Sequence, residues 1–137
     1  MIVTKTYLTD LTYQVNGAAI EVHKALGVGL LESAYHKCLA YELSLRGIAF
    51  KTELLVPIYY KGINIDSLLR CDLLIEDILV AELKAVEKVM PIHEAQIFTY
   101  MKLLEAPKGI IYNFNTVNIY KEGQKTYVNE LYRILPE

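Results

Sequence analysis

The apolar positions recur at helical spacing over the first third of the chain and then gather into branched runs, so the sequence predicts helices followed by strands. One helix is expected from about Asp10 to Leu26 and a second from about Leu30 to Arg46. In the second, Leu31, Ala34, Cys38, Tyr41 and Leu45 make the stripe expected to face the core, and Gly47 stands where a C-cap glycine belongs. A strand is expected from Lys51 to Tyr60, a turn at Lys61-Gly62, a second long strand from about Asn64 to Ile75, and a third strand carrying Glu82 and Lys84. A helix opened by Pro91, a strand from Lys108 to Asn113 and a final strand near Asn118 to Lys121 complete the order. The class is α/β, in one domain over residues 1–137 with no linker, repeat or low-complexity stretch.

The charges that matter sit inside the apolar runs. Leu68 to Ile75 and Ile78 to Lys84, separated by Glu76-Asp77, read as a β-hairpin. Side chains alternate along a strand, so Glu82 and Lys84 share a face with Val80. Asp72 joins them only if it pairs opposite Glu82, which requires an odd loop such as Glu76, Asp77 and Ile78; a two-residue turn would set Asp72 opposite Ala81. The run Leu79-Val80-Ala81, Leu83, Ala85-Val86 is that of a strand covered on both faces, where a charge is costly unless paired or metal-bound.

Two carboxylates brought this close repel, and one should hold its proton more tightly than a free carboxylate does. A hard divalent cation relieves that repulsion, because magnesium needs only one or two carboxylates when phosphate oxygens and waters supply the rest. Asp72 and Glu82 are the candidate ligands, with the backbone carbonyl of Leu83. Lys84 is placed to orient a metal-bound water or neutralise charge on phosphate. On the following helix Ile92, Gln96, Tyr100 and Leu103 fall on one stripe, and a glutamine among apolar residues is either a structural hydrogen-bonder or a group that orients water or phosphate.

Asp72, Glu82, Lys84 and the Gln96-x-x-x-Tyr100 pair resemble the core signature of the PD-(D/E)xK nuclease superfamily, especially its RecB-like branch, in which a glutamine and a tyrosine follow the catalytic lysine. Gly29-Leu30-Leu31-Glu32-Ser33-Ala34-Tyr35 resembles the Gly-x-x-Glu-x-x-Tyr motif of the small GxxExxY family, as do Val22 to Gly27 and the stretch from Glu82 to Gln96. The resemblance spans roughly residues 15 to 130. It implies a restriction-endonuclease-like αβββαβ core, here with an additional N-terminal helix and a short C-terminal strand. It also implies a nuclease using magnesium or manganese, with Glu32 completing the metal site of Asp72 and Glu82, and with Lys84 and Gln96 catalytic. Tyr35 and Tyr100 are candidates for contact with substrate, a nucleic acid, DNA ahead of RNA. Cys71 stands where the motif has proline. Without the resemblance, Glu32 reads as a first-turn glutamate that complements a helix dipole, and Tyr35 as a core aromatic.

Net charge tempers this picture. With 14 basic and 16 acidic residues the chain carries −2, so it lacks the positive field of a tight non-specific nucleic-acid binder. Lys37, Lys51, Lys61, Arg70, Lys88 and Lys102 form no dense run. A homodimer or partner protein would supply the missing surface, and a catalytically idle nuclease-like fold acting as a binding or interaction module is the competing expectation. Cys38 and Cys71, each among apolar residues, read as buried thiols in a reducing cytoplasm. His23, His36 and His93 lack zinc-ligand spacing, and His93 reads as a capping or packing residue. No run approaches membrane-spanning length.

Overall fold

The computed structural model describes residues 2–66 and 69–137. Helix α1 (Lys5–Leu26) begins five residues before the expected Asp10, where the Thr4 hydroxyl accepts the Tyr7 N–H at 3.0 Å. Its Leu8, Leu11, Val15, Ala18, Ala19 and Val22 recur at helical spacing and are buried. Helix α2 (Glu32–Leu45) ends as expected, with Gly47 at φ 71° and its N–H bonded to the Ser44 carbonyl. The buried face of α2 is not the expected one. Tyr35, Leu39 and Leu43 point inward, while Tyr41 and Leu45 are 67% and 64% exposed. The helix is apolar on more than one side, and the stripe that wins is the one whose tyrosine can satisfy its hydroxyl.

The strand expected from Lys51 to Tyr60 is two strands, β1 (Phe50–Leu55) and β2 (Ile58–Tyr60), because Val56-Pro57 interrupts the ladder. The expected Asn64–Ile75 strand is likewise β3 (Ile63–Ile65) and β4 (Arg70–Ile75); Leu68, at the expected start of the hairpin, lies outside the described residues. Next come β5 (Leu79–Lys84), α3 (Pro91–Leu103) with proline in its first turn, and β6 (Lys108–Asn113). The strand expected near Asn118 to Lys121 is instead a π-helical turn, Ile119–Gly123, capped by the Asn118 side chain; the strand itself follows as β7 (Gln124–Val128) before a short α4 (Glu130–Arg133).

The five-stranded sheet has the order β1-β4-β5-β6-β7, antiparallel except for the parallel β5–β6 pair that α3 connects. Elements α2, β1, β4, β5, α3 and β6 form the restriction-endonuclease-like αβββαβ core, with α1 as the additional helix and β7 as the short last strand. Strands β2 and β3 form a separate two-stranded ribbon inserted between β1 and β4.

Each sheet face is covered by helix. Leu73, Ile75, Leu79, Ala81, Leu83, Ile110 and Tyr112 pack with α1 and α2. Leu74, Val80 and Ile111 pack with Ile97, Tyr100 and Met101 of α3. Gly109 permits that approach, since a Cβ there would lie 2.8 Å from the Met101 sulfur. Ile92, expected on the inward stripe of α3, is exposed.

The alternation along β1 and β4 shifts by one at a single place. Phe50, Leu73 and Ile75 lie on the α1–α2 side, yet Leu54 and its partner Cys71 lie on the α3 side. Between them stand Glu53, at φ 49°, and Asp72. A residue in the left-handed region turns the strand over, a device that re-aims side chains beside functional sites.

Candidate active site

The β4–β5 connection is the three-residue loop Glu76, Asp77 and Ile78, with Glu76 and Asp77 at φ 50° and 62°. The register runs Ile75↔Leu79, Leu74↔Val80, Leu73↔Ala81, and the next step along both strands brings Asp72 beside Glu82. There the ladder gives way to side chains. The Asp72 N–H donates to Glu82 Oε2 at 2.7 Å, and the Leu83 N–H donates to Asp72 Oδ2 at 2.8 Å. Each carboxylate thus satisfies the backbone of the other strand and fills the gap where β4 and β5 part. One oxygen of each is used this way, and the two carboxyls also meet side chain to side chain.

Electrostatics marks this gap as short of positive charge. Glu82 is 5% exposed, and burial first, then the neighbouring Asp72, push its carboxyl up to about 8; Lys84, two residues along the same strand face, draws it partway back. The Tyr100 hydroxyl is pushed up to about 12 by burial, then by Glu82, Cys71 and Asp72. Burial, then Glu82 and Asp72, also raise the Cys71 thiol. Three neighbouring acids all favour holding their protons, which is the electrostatic signature of a place that a cation would stabilise.

Gln96, half-buried on α3, hydrogen-bonds the Tyr100 hydroxyl, so the expected Gln-x-x-x-Tyr pair is one unit beside Glu82. Glu32, exposed in the first turn of α2, accepts the Ala85 N–H at 3.3 Å and so reaches the residue after Lys84. It does not close a three-carboxylate cluster: among the described residues no three His, Cys, Asp or Glu side chains gather closely enough to hold a metal. Tyr35, a candidate for substrate contact, is wholly buried. Its ring stacks on Phe114 at 4.4 Å, its hydroxyl donates to the Gly27 carbonyl at 2.6 Å, and that hydroxyl accepts the Leu30 N–H at 3.3 Å. No edge of Tyr35 remains for a ligand. Its place in the motif is structural, holding the loop from which Glu32 emerges.

One contributor had no sequence signal beyond being a polar residue at the end of an apolar strand. Asn113, paired with Lys84 across the parallel ladder, is buried; it accepts the Val86 N–H at 3.1 Å and donates to the Val86 carbonyl at 2.9 Å. With the Phe114 N–H bonded to the Lys84 carbonyl at 2.8 Å, it fixes the chain just past the lysine. His93 caps α3, accepting the Met90 N–H at 3.0 Å. Cys38 and Cys71 are free thiols, and no helix among the described residues is long and apolar enough to cross a membrane.

No curated protein and no solved structure matches the chain. A family model described as the PD-(D/E)XK nuclease superfamily matches residues 9–126, a span that takes in Glu32, Asp72, Glu82, Lys84, Gln96 and Tyr100 as well as the whole αβββαβ core. The chain belongs to the PD-(D/E)XK nuclease superfamily.

Proposed function

We propose that the protein is a divalent-metal-dependent nuclease that hydrolyses nucleic-acid phosphodiester bonds at the gap between β4 and β5. The observation that carries this reading is the reciprocal pair formed by half-buried Asp72 and buried Glu82, short of positive charge and followed by Lys84 on the same strand face. The donor set suits magnesium or manganese, hard cations that take carboxylate oxygens and keep several waters. Asp72 and Glu82 would hold the ion with the carbonyl of Leu83. The N–H and C=O of a strand residue point the same way, and the Leu83 N–H is aimed at Asp72. Glu32, reaching Ala85, would contribute through a water. When bound, the metal supplies a more acidic water and stabilises charge on the phosphate.

The remaining groups act directly. Lys84 would hold its ammonium toward the attacking water or a phosphate oxygen. Gln96, kept in place by Tyr100, orients the same water or a phosphate oxygen from α3, and Tyr100, buried beside it, would reach substrate through its hydroxyl. Within the superfamily we assign the chain to the GxxExxY family and the RecB-like branch, on the Gly29, Glu32, Tyr35 and Gln96, Tyr100 spacings. We read residues 1–137 as a single nuclease-like domain acting on DNA ahead of RNA, alone or with a second copy or partner protein. The two free thiols fit the cytoplasm.

Calorimetry with manganese, run beside cleavage assays, tests this reading. Wild type should bind the metal and cleave, and Asp72→Ala should do neither while keeping its fold. If wild type cleaves no nucleic acid with any divalent metal and shows no metal binding that Asp72→Ala abolishes, the chain is an idle nuclease-like module instead.

A further inference from the structure

An acidic cleft in a chain of net charge −2 lacks an overall positive field to draw its substrate in, so local contacts, stacking among them, have to supply the affinity. The β2–β3 ribbon offers such a surface. Its cross-strand pairs are Ile58↔Ile65 and Tyr60↔Ile63, which place Ile58, Tyr60, Ile63 and Ile65 on one face, with Tyr59 and Asn64 on the other. Tyr59, Tyr60 and Ile63 are 66%, 62% and 65% exposed, and Leu55 at the ribbon's root is exposed as well. A lone two-stranded hairpin is marginally stable in water, and an apolar face of this kind marks a binding surface.

The ribbon's charge and position indicate what covers it. Its tip is the Lys61-Gly62 turn, with the Lys61 ammonium 5.4 Å from the centre of the Tyr60 ring, and the exposed Arg70 stands at its root. Asp66 is the acidic residue of the same segment. The ribbon leaves β1 at Leu55 and rejoins the sheet at Arg70, two residues before Asp72, its root tied by the Val56 N–H to the Leu69 carbonyl at 2.9 Å. The ribbon's base is thus two residues along β4 from Asp72, close enough for one strand of nucleic acid to meet both.

We propose that the β2–β3 ribbon is a nucleic-acid-binding arm that takes up unpaired or unstacked bases, with Tyr60 stacking on a base, Ile63 and Ile65 against its neighbours, and Lys61 and Arg70 on the flanking phosphates. This rests on the nuclease reading of the site and names the class of substrate: single strands, or duplexes that open locally. Aromatic stacking is tolerant of sequence and far less sensitive to salt than phosphate contacts are.

The test is binding of a fluorescent oligothymidine and of a matched duplex, measured in EDTA so that no cleavage occurs. The full chain should prefer the single strand, and as salt rises it should lose only the severalfold affinity that two phosphate contacts carry. Tyr60→Ala should weaken that binding about tenfold, Tyr60→Phe should restore it, and Lys61→Gln should have a smaller effect that fades at high salt. Tyr60 is exposed, so both variants keep the fold, which circular dichroism checks. The proposal is overturned if wild type does not bind the single strand, if Tyr60→Ala binds it as wild type does, or if Tyr60→Ala instead turns a dimer into a monomer in sedimentation with oligonucleotide binding unchanged, since the ribbon then pairs with a second copy. Binding without cleavage or metal uptake would sink the nuclease reading and leave the arm standing. Cleavage of single strands untouched by Tyr60→Ala would do the reverse.

Discussion

Two glutamates serve the α3 side of the molecule and end in opposite electrostatic states. Glu94, in the first turn of α3, receives the Lys125 ammonium at 2.8 Å and the Tyr127 hydroxyl, and its carboxyl is held below the usual range by those two donors. Glu82, on the adjoining strand β5, is held above that range by burial and by Asp72, with Lys84 only partly offsetting the cost. The fold answers Glu94 from within, with a cation and a hydroxyl on β7. Among the described residues, Glu82 meets a backbone N–H, a second carboxylate and the charge of Lys84. A buried carboxyl that its own chain destabilises is poor architecture and good ligand chemistry. Under the proposed function, that difference is why Glu82 rather than Glu94 is assigned to the metal.

The sharpest way to break this comparison is through the two lysines. Lys84→Ala should lower cleavage about a hundredfold or more while manganese still binds, because the lysine acts on water or phosphate and is no ligand itself. Parallel cleavage and calorimetric titrations check this. Cleavage that survives would place Lys84 with Lys125, as a lysine that serves a neighbouring glutamate and nothing more.

Glu82→Gln asks what the unanswered charge costs the fold. The folded carboxyl is raised from its ordinary value near 4.5 to about 8. The stability it contributes is therefore fully present below pH 4.5 and is lost as pH rises through about 8. Metal-free wild type should weaken across that window, and the amide, which has no proton to lose, should not. At pH 8 the variant should be more stable by on the order of a few kcal/mol, a thermal midpoint higher by several degrees, while losing manganese binding. A variant that melts below metal-free wild type at pH 8 would mean that the carboxylate is a net support of the fold.

Tyr35→Phe acts more gently. The ring keeps its stack on Phe114, but the Gly27 carbonyl and Leu30 N–H lose their shared partner, at a cost of about 1–2 kcal/mol. The loop that launches Glu32 loosens, so manganese affinity should fall a few-fold along with a midpoint lower by a few degrees. Unchanged affinity would detach Glu32 from the metal.

How much of this was legible beforehand follows the range of the forces involved. The odd hairpin loop and the proximity of Asp72 to Glu82 could be read because strand register is set locally, by a few residues and a period of two. The order of helices and strands came from elements whose periodicity is strong, and the family resemblance supplied the αβββαβ arrangement they fit. The inward face of α2 could not be read, since Leu31, Tyr41 and Leu45 compete with Tyr35, Leu39 and Leu43, and only the α1–α2 loop decides between them. The breaks at Val56-Pro57 and near Asp66 were hidden by continuous apolar character, although the proline was a signal in plain view. Glu53 and Asn113 became visible only once distant strands were paired.

The smallest effect is reserved for Glu94→Gln, and it is the control on which the comparison turns. The amide oxygen can still accept from Lys125 and Tyr127, so only the charge is lost, and exposed ion pairs contribute little at neutral pH. Cleavage and manganese binding at pH 7 should match wild type, and the midpoint should fall only slightly below it. The difference belongs in acid. Because the folded carboxyl is lowered, its contribution is present above the ordinary carboxylate value and disappears as pH falls through the folded one, the reverse of Glu82. Wild type should therefore lose that small advantage only below about pH 4.5. If Glu94→Gln instead removes activity at neutral pH, the carboxylate that the fold had already satisfied belongs to the working site, and a charge met from within the chain no longer separates structural acids from functional ones.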